Sequence, residues 1–226
     1  LRELIGAITF EGVIPIKANV PRLSELASRA GGRAVSVHLA RLPPEATKLA
    51  QAVAVLGDDV DPHLAAVLAE LDDETAKEAS ASLVRVDVLR PQAPLGFVHP
   101  LIRAAVYESI PPLERDRAHA RTAHLLDESG AEPERVAAHL LLVPPALVPA
   151  EEEPRTGAVL REAARSARCR GAADSAVAFL RRALAGPPPD EERPGLLFEL
   201  GSAETLVSGD AGVEHLQEAY EQLVDD

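Results

Sequence analysis

VDVLRPQAPLGFVHPLIRAAVYESIPP, residues 86–112, is where the periodicity of the chain changes. VDVLR and LGFVH flank a proline-rich tip, PQAP, and read as a small β-hairpin. A His-Pro pair follows at 99–100, and a helical apolar pattern then runs to Pro111-Pro112. A lone histidine thus stands at the junction of a strand and a helix. Its plain reading is capping and packing.

Upstream of the hairpin the spacing is helical. PPEATKLAQAVAVLG puts Ala46, Leu49, Val53 and Leu56 on one face, with proline in the first turn and Gly57 as the stop. Asp61-Pro62 opens a second short helix through Leu64, Val67 and Leu71. Asp72 or Asp73 can cap a third, whose Ala76, Ala79, Leu83 and Val86 recur three to four apart. Three helices and then a hairpin is the order of a winged helix, expected over residues 34–110. Before it, LRELIGAI reads as the end of a helix, GVIPIKANVPRL breaks the pattern with two prolines, and residues 22–42 resume helical spacing.

Downstream, residues 99–110, 112–128 and 133–143 read as helices, and PPALVPAEEEP (144–154) reads as a linker. In residues 155–226, Val177, Leu180 and Ala183 recur as Val213, Leu216 and Ala219, a step of 36 residues. That is a tetratricopeptide-like period of two helical hairpins. Such arrays need about three stacked copies, so the array is expected to continue past Asp226. The fold class expected is mostly α: a winged-helix domain with a small hairpin, then an α-helical repeat region.

Composition narrows the function. Hydrophobic residues are 46% of the chain, aromatics only 3%, and Trp and Met are absent, so the core must be built from Leu, Val, Ala and Ile. A chain without methionine that opens on Leu1 is expected to be a piece of a longer product. The single cysteine, Cys169, has no internal partner. No apolar run nears the roughly 18 residues of a membrane span and no signal-peptide pattern opens the chain, so a reducing, cytoplasmic setting is expected. Net charge is −13, unfavourable for a dedicated nucleic-acid binder. Residues 1–42 nevertheless balance at +3, which leaves −16 for the rest. That basic piece could face phosphate or an acidic partner, or reflect ordinary scatter.

Catalytic motifs are missing. A Walker loop ends in Gly-Lys, but Lys17, Lys48 and Lys77 follow Ile, Thr and Ala. GxGxxG, GxSxG and HExxH are absent, and the seven histidines form no recognisable ligand set. Neither an enzyme nor a metal site is expected of this chain alone. Arg161, Arg165 and Arg168 share a helix face and could clamp an anion or pair with Glu162 and other acids. Cys169 between Arg168 and Arg170 reads as a thiolate if exposed, or as a passive small residue. The third helix of the winged helix, the DNA reader where there is one, carries Asp72, Asp73, Glu74 and Glu78 against Lys77 and Arg85, so no nucleic-acid contact is expected.

RLPPEATKLAQAVAVLG, LVRVDVL, FVHPLIRAAVYESIPPLERDRAHARTAHLLDESG and PERVAAHLL together resemble the large ATP-binding regulators of the LuxR family. These are STAND-class ATPases related to the maltose-regulon activator. The resemblance covers about residues 1–186, and the FVHPLIR…VYESIPPLER block carries most of it. It implies the middle of such a regulator: 1–33 a remnant of the ATPase lid and connector, 34–110 the winged helix, 111–154 a helical connector and linker, and 155–226 the first repeats of the arm. The Walker motifs and the DNA-binding helix-turn-helix would lie in the parent protein. No cofactor is expected in this segment; ATP or ADP belongs to the parent.

The resemblance also implies a sharper role for the histidine. In related proteins a winged-helix histidine contacts the β-phosphate of ADP and holds the closed state. His99 is the matching position, with Arg103 one turn on, although Val98 and Pro100 replace the Met and Asp that flank it in plant and animal relatives. The partners implied are the protein's own ATPase domain, further copies in self-association, and an inducer or peptide on the helical arm, with no membrane and no direct nucleic-acid contact. The other function class the sequence allows is a freestanding tetratricopeptide-like adaptor that binds a peptide or protein.

Overall fold

The structure, a computed structural model, describes residues 42–149, 151–186, 188–210 and 212–224. The basic segment 1–41 and the lid remnant expected over 1–33 lie outside the described residues. Among them the chain is mostly helical, with ten α-helices and no extended strand. It divides into two compact units at 118/119.

The first unit is built on α1 (Pro44–Leu56), against which α2 (Pro62–Leu68), α3 (Asp73–Arg85) and α4 (Pro100–Ser109) all pack. Helix α1 buries Ala46, Leu49 and Ala50, and then the five successive residues Ala52 to Leu56. Pro44 at its first turn sacrifices no intrahelical bond. Asp61 caps α2 by accepting from the His63 and Leu64 amides at 2.9 and 3.2 Å. Asp72 caps α3, accepting from the Thr75 amide at 2.8 Å and the Thr75 hydroxyl at 2.9 Å. Those two donors hold the Asp72 carboxyl below its ordinary range. The cap therefore contributes fully above that range and is lost as pH falls below it through the lowered folded value.

Residues 86–99, which the sequence marks as a hairpin, pair as isolated antiparallel bridges rather than as a ladder. Leu89 bridges Phe97, and Val60, from the α1–α2 side, bridges Leu95. The Val60–Leu95 pair exchanges two amide–carbonyl bonds of 2.9 and 2.8 Å, and the Arg90 amide donates to Gly96 at 2.8 Å. Pro91 and Pro94 have no amide hydrogen to extend the pairing across the tip. Leu89, Leu95 and Phe97 are buried. Gly96 lies directly under Arg90: a Cβ there would displace the Arg90 guanidinium, which binds Asp59 at 2.8 Å.

Helix α5 (Pro112–Glu128) carries the division between the units. The second unit continues with α6 (Pro133–Leu140), a 3₁₀ turn at Pro145–Leu147 inside the expected linker, then α7 (Glu153–Cys169), α8 (Ala173–Ala185), α9 (Arg193–Val207) and α10 (Val213–Val224). From α6 onward each helix packs on the next. Helix starts recur 40 residues apart, Glu153 to Arg193 and Ala173 to Val213. The apolar residues recur at 36, four fewer than the helix starts, about one turn within each helix, and so keep the same face. Leu160, Leu180, Leu197 and Leu200 form the core. Helices α9 and α10 meet at glycines: a Cβ on Gly201 would lie 2.7 Å from Leu216, and one on Gly212 would strike the Gly201 carbonyl.

Two substitutions test this packing. Leu49 is fully buried, so Leu49→Ala should lower the unfolding free energy by about 2–5 kcal/mol in denaturant titrations. Arg182 on α8 is buried and, among the described residues, binds only the Leu140 carbonyl, at 3.3 Å, leaving both terminal nitrogens without partners there. Burial pushes its proton affinity down, against the pull of Glu153. Arg182→Met should therefore cost nothing or stabilise by about 1–2 kcal/mol. A loss as large as that of Leu49→Ala would show that the charge is needed.

Candidate functional site

His99 is the N-cap of α4. Its backbone is extended, with φ −149° and ψ 138°, and its Nδ1 accepts the Leu101 amide at 3.2 Å. Pro100 fills the first helical position and has no amide to satisfy. An imidazole nitrogen that accepts carries no hydrogen, so the ring hydrogen sits on Nε2. His99 itself is exposed. The capping anticipated from sequence is thus realised, by the ring rather than by a carboxylate or hydroxyl.

Arg103, four residues on, reaches back to α1. Its Nε donates to the Ala54 carbonyl at 3.2 Å, and its terminal nitrogen lies 3.9 Å from the Asp58 carboxylate. Ala54 is in the last turn of α1, where carbonyls lack intrahelical partners. A cation there also complements the negative end of the helix dipole. Arg103 is therefore half-buried and tied, while its guanidinium keeps donors to spare. His99 and Arg103 share the start of one helix, where backbone amides and dipole favour negative charge.

The other sequence candidates resolve as helix ties. Arg161 donates from Nε to both Glu199 oxygens at 3.0 and 3.1 Å, and that carboxylate raises its proton affinity. Arg165 bonds Glu162 at 3.2 Å and lies 3.6 Å from Glu199. The arginine face of α7 is thus spent largely on an acid of α9. Cys169 is exposed at the end of α7. Helix α3 begins Asp72-Asp73-Glu74, and Asp73 binds His63 at 3.1 Å, so its N-terminus presents acid where a phosphate contact would need base.

Sequence reasoning missed two polar clusters of the second unit. Glu204 of α9 is buried and accepts from Arg181 of α8 and His215 of α10, both at 2.7 Å, joining three helices through one carboxylate. His119 of α5 and His139 of α6 are buried with their Nδ1 atoms 2.9 Å apart. These partners stand 11 to 23 residues apart in the chain, so no local motif announces them. Among the described residues no group of three or more His, Cys, Asp or Glu side chains could hold a metal ion, and no helix is long and apolar enough to cross a membrane.

No family model matches the chain, and neither a curated protein nor a solved structure matches it.

The cap makes a direct prediction. His99→Ala should destabilise the chain by about 1 kcal/mol, whereas His99→Asp, which restores a capping acceptor, should match or exceed the parent in thermal melts. Equal losses in both variants would show that the ring matters for packing and not for the cap.

Proposed function

We propose that the chain is the regulatory middle segment of a LuxR-family, ATP-dependent transcriptional regulator. In this reading residues 34–110 are a winged helix, 155–226 the first tetratricopeptide-like repeats of the arm, and the segment is non-catalytic by itself. It couples the nucleotide state of the parent's ATPase domain to the arm and to self-association in the cytoplasm. The resemblance of the FVHPLIR…VYESIPPLER block is the starting point. The observation that carries the reading further is the position of His99 as the cap of α4. Its Nδ1 is committed to the α4 cap, which leaves Nε2–H as the donor for an anion, beside Arg103 and a helix N-terminus. A β-phosphate held there would stabilise the closed state through a hydrogen bond that nucleotide exchange breaks.

The cap and the phosphate bond can be separated. His99→Asp keeps the capping acceptor but places a negative charge where the phosphate would sit. In the full-length regulator this variant should remain folded, release ADP faster and raise promoter activity without inducer. Losing a charge-assisted bond of about 2 kcal/mol from one of two states shifts their ratio roughly thirtyfold. Parental ADP retention and basal activity in a folded His99→Asp protein would sink the sensor role. The isolated chain should show no micromolar binding of ATP or ADP by calorimetry, and no specific complex with promoter DNA at physiological salt.

A second reading has its own observation. Phe198, Leu206, Tyr220 and Leu223, on α9 and α10, are more than half exposed, as a peptide-binding adaptor would require. In that case a partner should bind the wild-type and His99→Asp chains equally well.

A further inference from the structure

The first unit contains a groove that the nucleotide reading does not use. It is a cavity of about 670 Å³ between α2, α3 and the segment Arg90–Leu95. Its floor is apolar: Leu49, Ala66 and Leu95. On the α3 side, Ala76, Lys77, Ser80, Ala81 and Val84 recur at helical spacing, so one face of α3 forms a wall. The far rim is held in place, because Arg90 lies against Gly96 and binds Asp59 at 2.8 Å.

Charge at the rim identifies the kind of occupant. His63 and Asp73 bind each other at 3.1 Å, and Arg90 is paired with Asp59. Lys77 has no hydrogen bond or ion pair with any described residue. The groove therefore offers an apolar bed of small-ligand size and, among the described residues, one ammonium without a hydrogen bond or ion pair. Asp73, one turn before Lys77, would repel a second negative charge. We propose that this groove binds a small amphiphilic monoanion, an apolar body bearing one carboxylate, with Lys77 as its counter-ion. Nucleic acid does not fit: the wall of α3 presents alanine, serine and valine at its centre and acid at its start.

Octanoate is a minimal probe, with octanol and octyl phosphate as its neutral and dianionic counterparts. Backbone amide shifts of the full chain report binding by residue. Octanoate should move the α2, α3 and 90–95 resonances, and octanol should bind about fivefold more weakly. Lys77→Gln should erase that difference and leave octanol affinity unchanged. Ala81→Phe, at an exposed position on the wall, should abolish binding of both. The proposal fails if octanoate at millimolar concentration moves no groove resonance. It also fails if octanol binds equally well, if Lys77→Gln changes nothing, or if octyl phosphate binds more tightly. Shifts produced by an acidic amphipathic peptide but not by octanoate would assign the groove to a protein partner and overturn the small-molecule class. These outcomes do not depend on His99, so they are separable from the nucleotide reading.

Discussion

A helix with five successive buried residues at its end has to be covered on every side there. That is the condition α1 imposes with Ala52 to Leu56, and the rest of the first unit answers it. Helices α2, α3 and α4 supply apolar cover. Burying the end also buries carbonyls that no helical amide can reach, and each carbonyl left alone costs stability. Gly57 donates back to Val53 at 3.0 Å, and Arg103 donates to Ala54. Arg103 can do so only because α4 starts at the right place, and His99 sets that start by capping it. The histidine and arginine that resemblance singles out as phosphate ligands are also the residues that fix α4 against α1.

The second unit meets a different condition. With few aromatics, its helices pack through alanine, leucine and glycine, and polar groups are admitted to the interior when they join helices. Glu204 accepts from two helices at once, and the Arg161–Glu199 pair bridges α7 and α9. Arg182 departs from this pattern, buried with one bond to a helix-terminal carbonyl, and so does Thr122, whose buried hydroxyl has no partner among the described residues. Replacing a paired buried charge leaves its partner stranded; replacing that of Arg182 removes donors that have no partner among the described residues.

What is legible in the sequence follows from range. Helices α1, α3 and α5 announce themselves by apolar spacing, a proline or aspartate at the start and a glycine or polar stop, all within a few residues. The capping role of His99 is legible for the same reason, since His-Pro before an apolar helical run leaves one amide to satisfy. The hairpin expected over residues 86–99 is not formed as a ladder. The alternation in LGFVH is real, and Leu95 and Phe97 are buried, but Pro91 and Pro94 limit the pairing to isolated bridges. The pairings of Glu204, Arg103 and His139 depend on which helices become neighbours, and only tertiary structure supplies that. The groove is illegible for the same reason: its wall is a helix face, but its floor and rim come from three other segments.

The facing histidines carry one more implication. Two Nδ1 atoms 2.9 Å apart share a single hydrogen when both rings are neutral: one donates and the other accepts. The tautomers of His119 and His139 are therefore correlated. If one ring carries its hydrogen on Nδ1, the other must carry it on Nε2, and exchanging these roles changes both rings together. The bond between α5 and α6 accordingly has a direction, set by which ring carries its hydrogen on Nδ1.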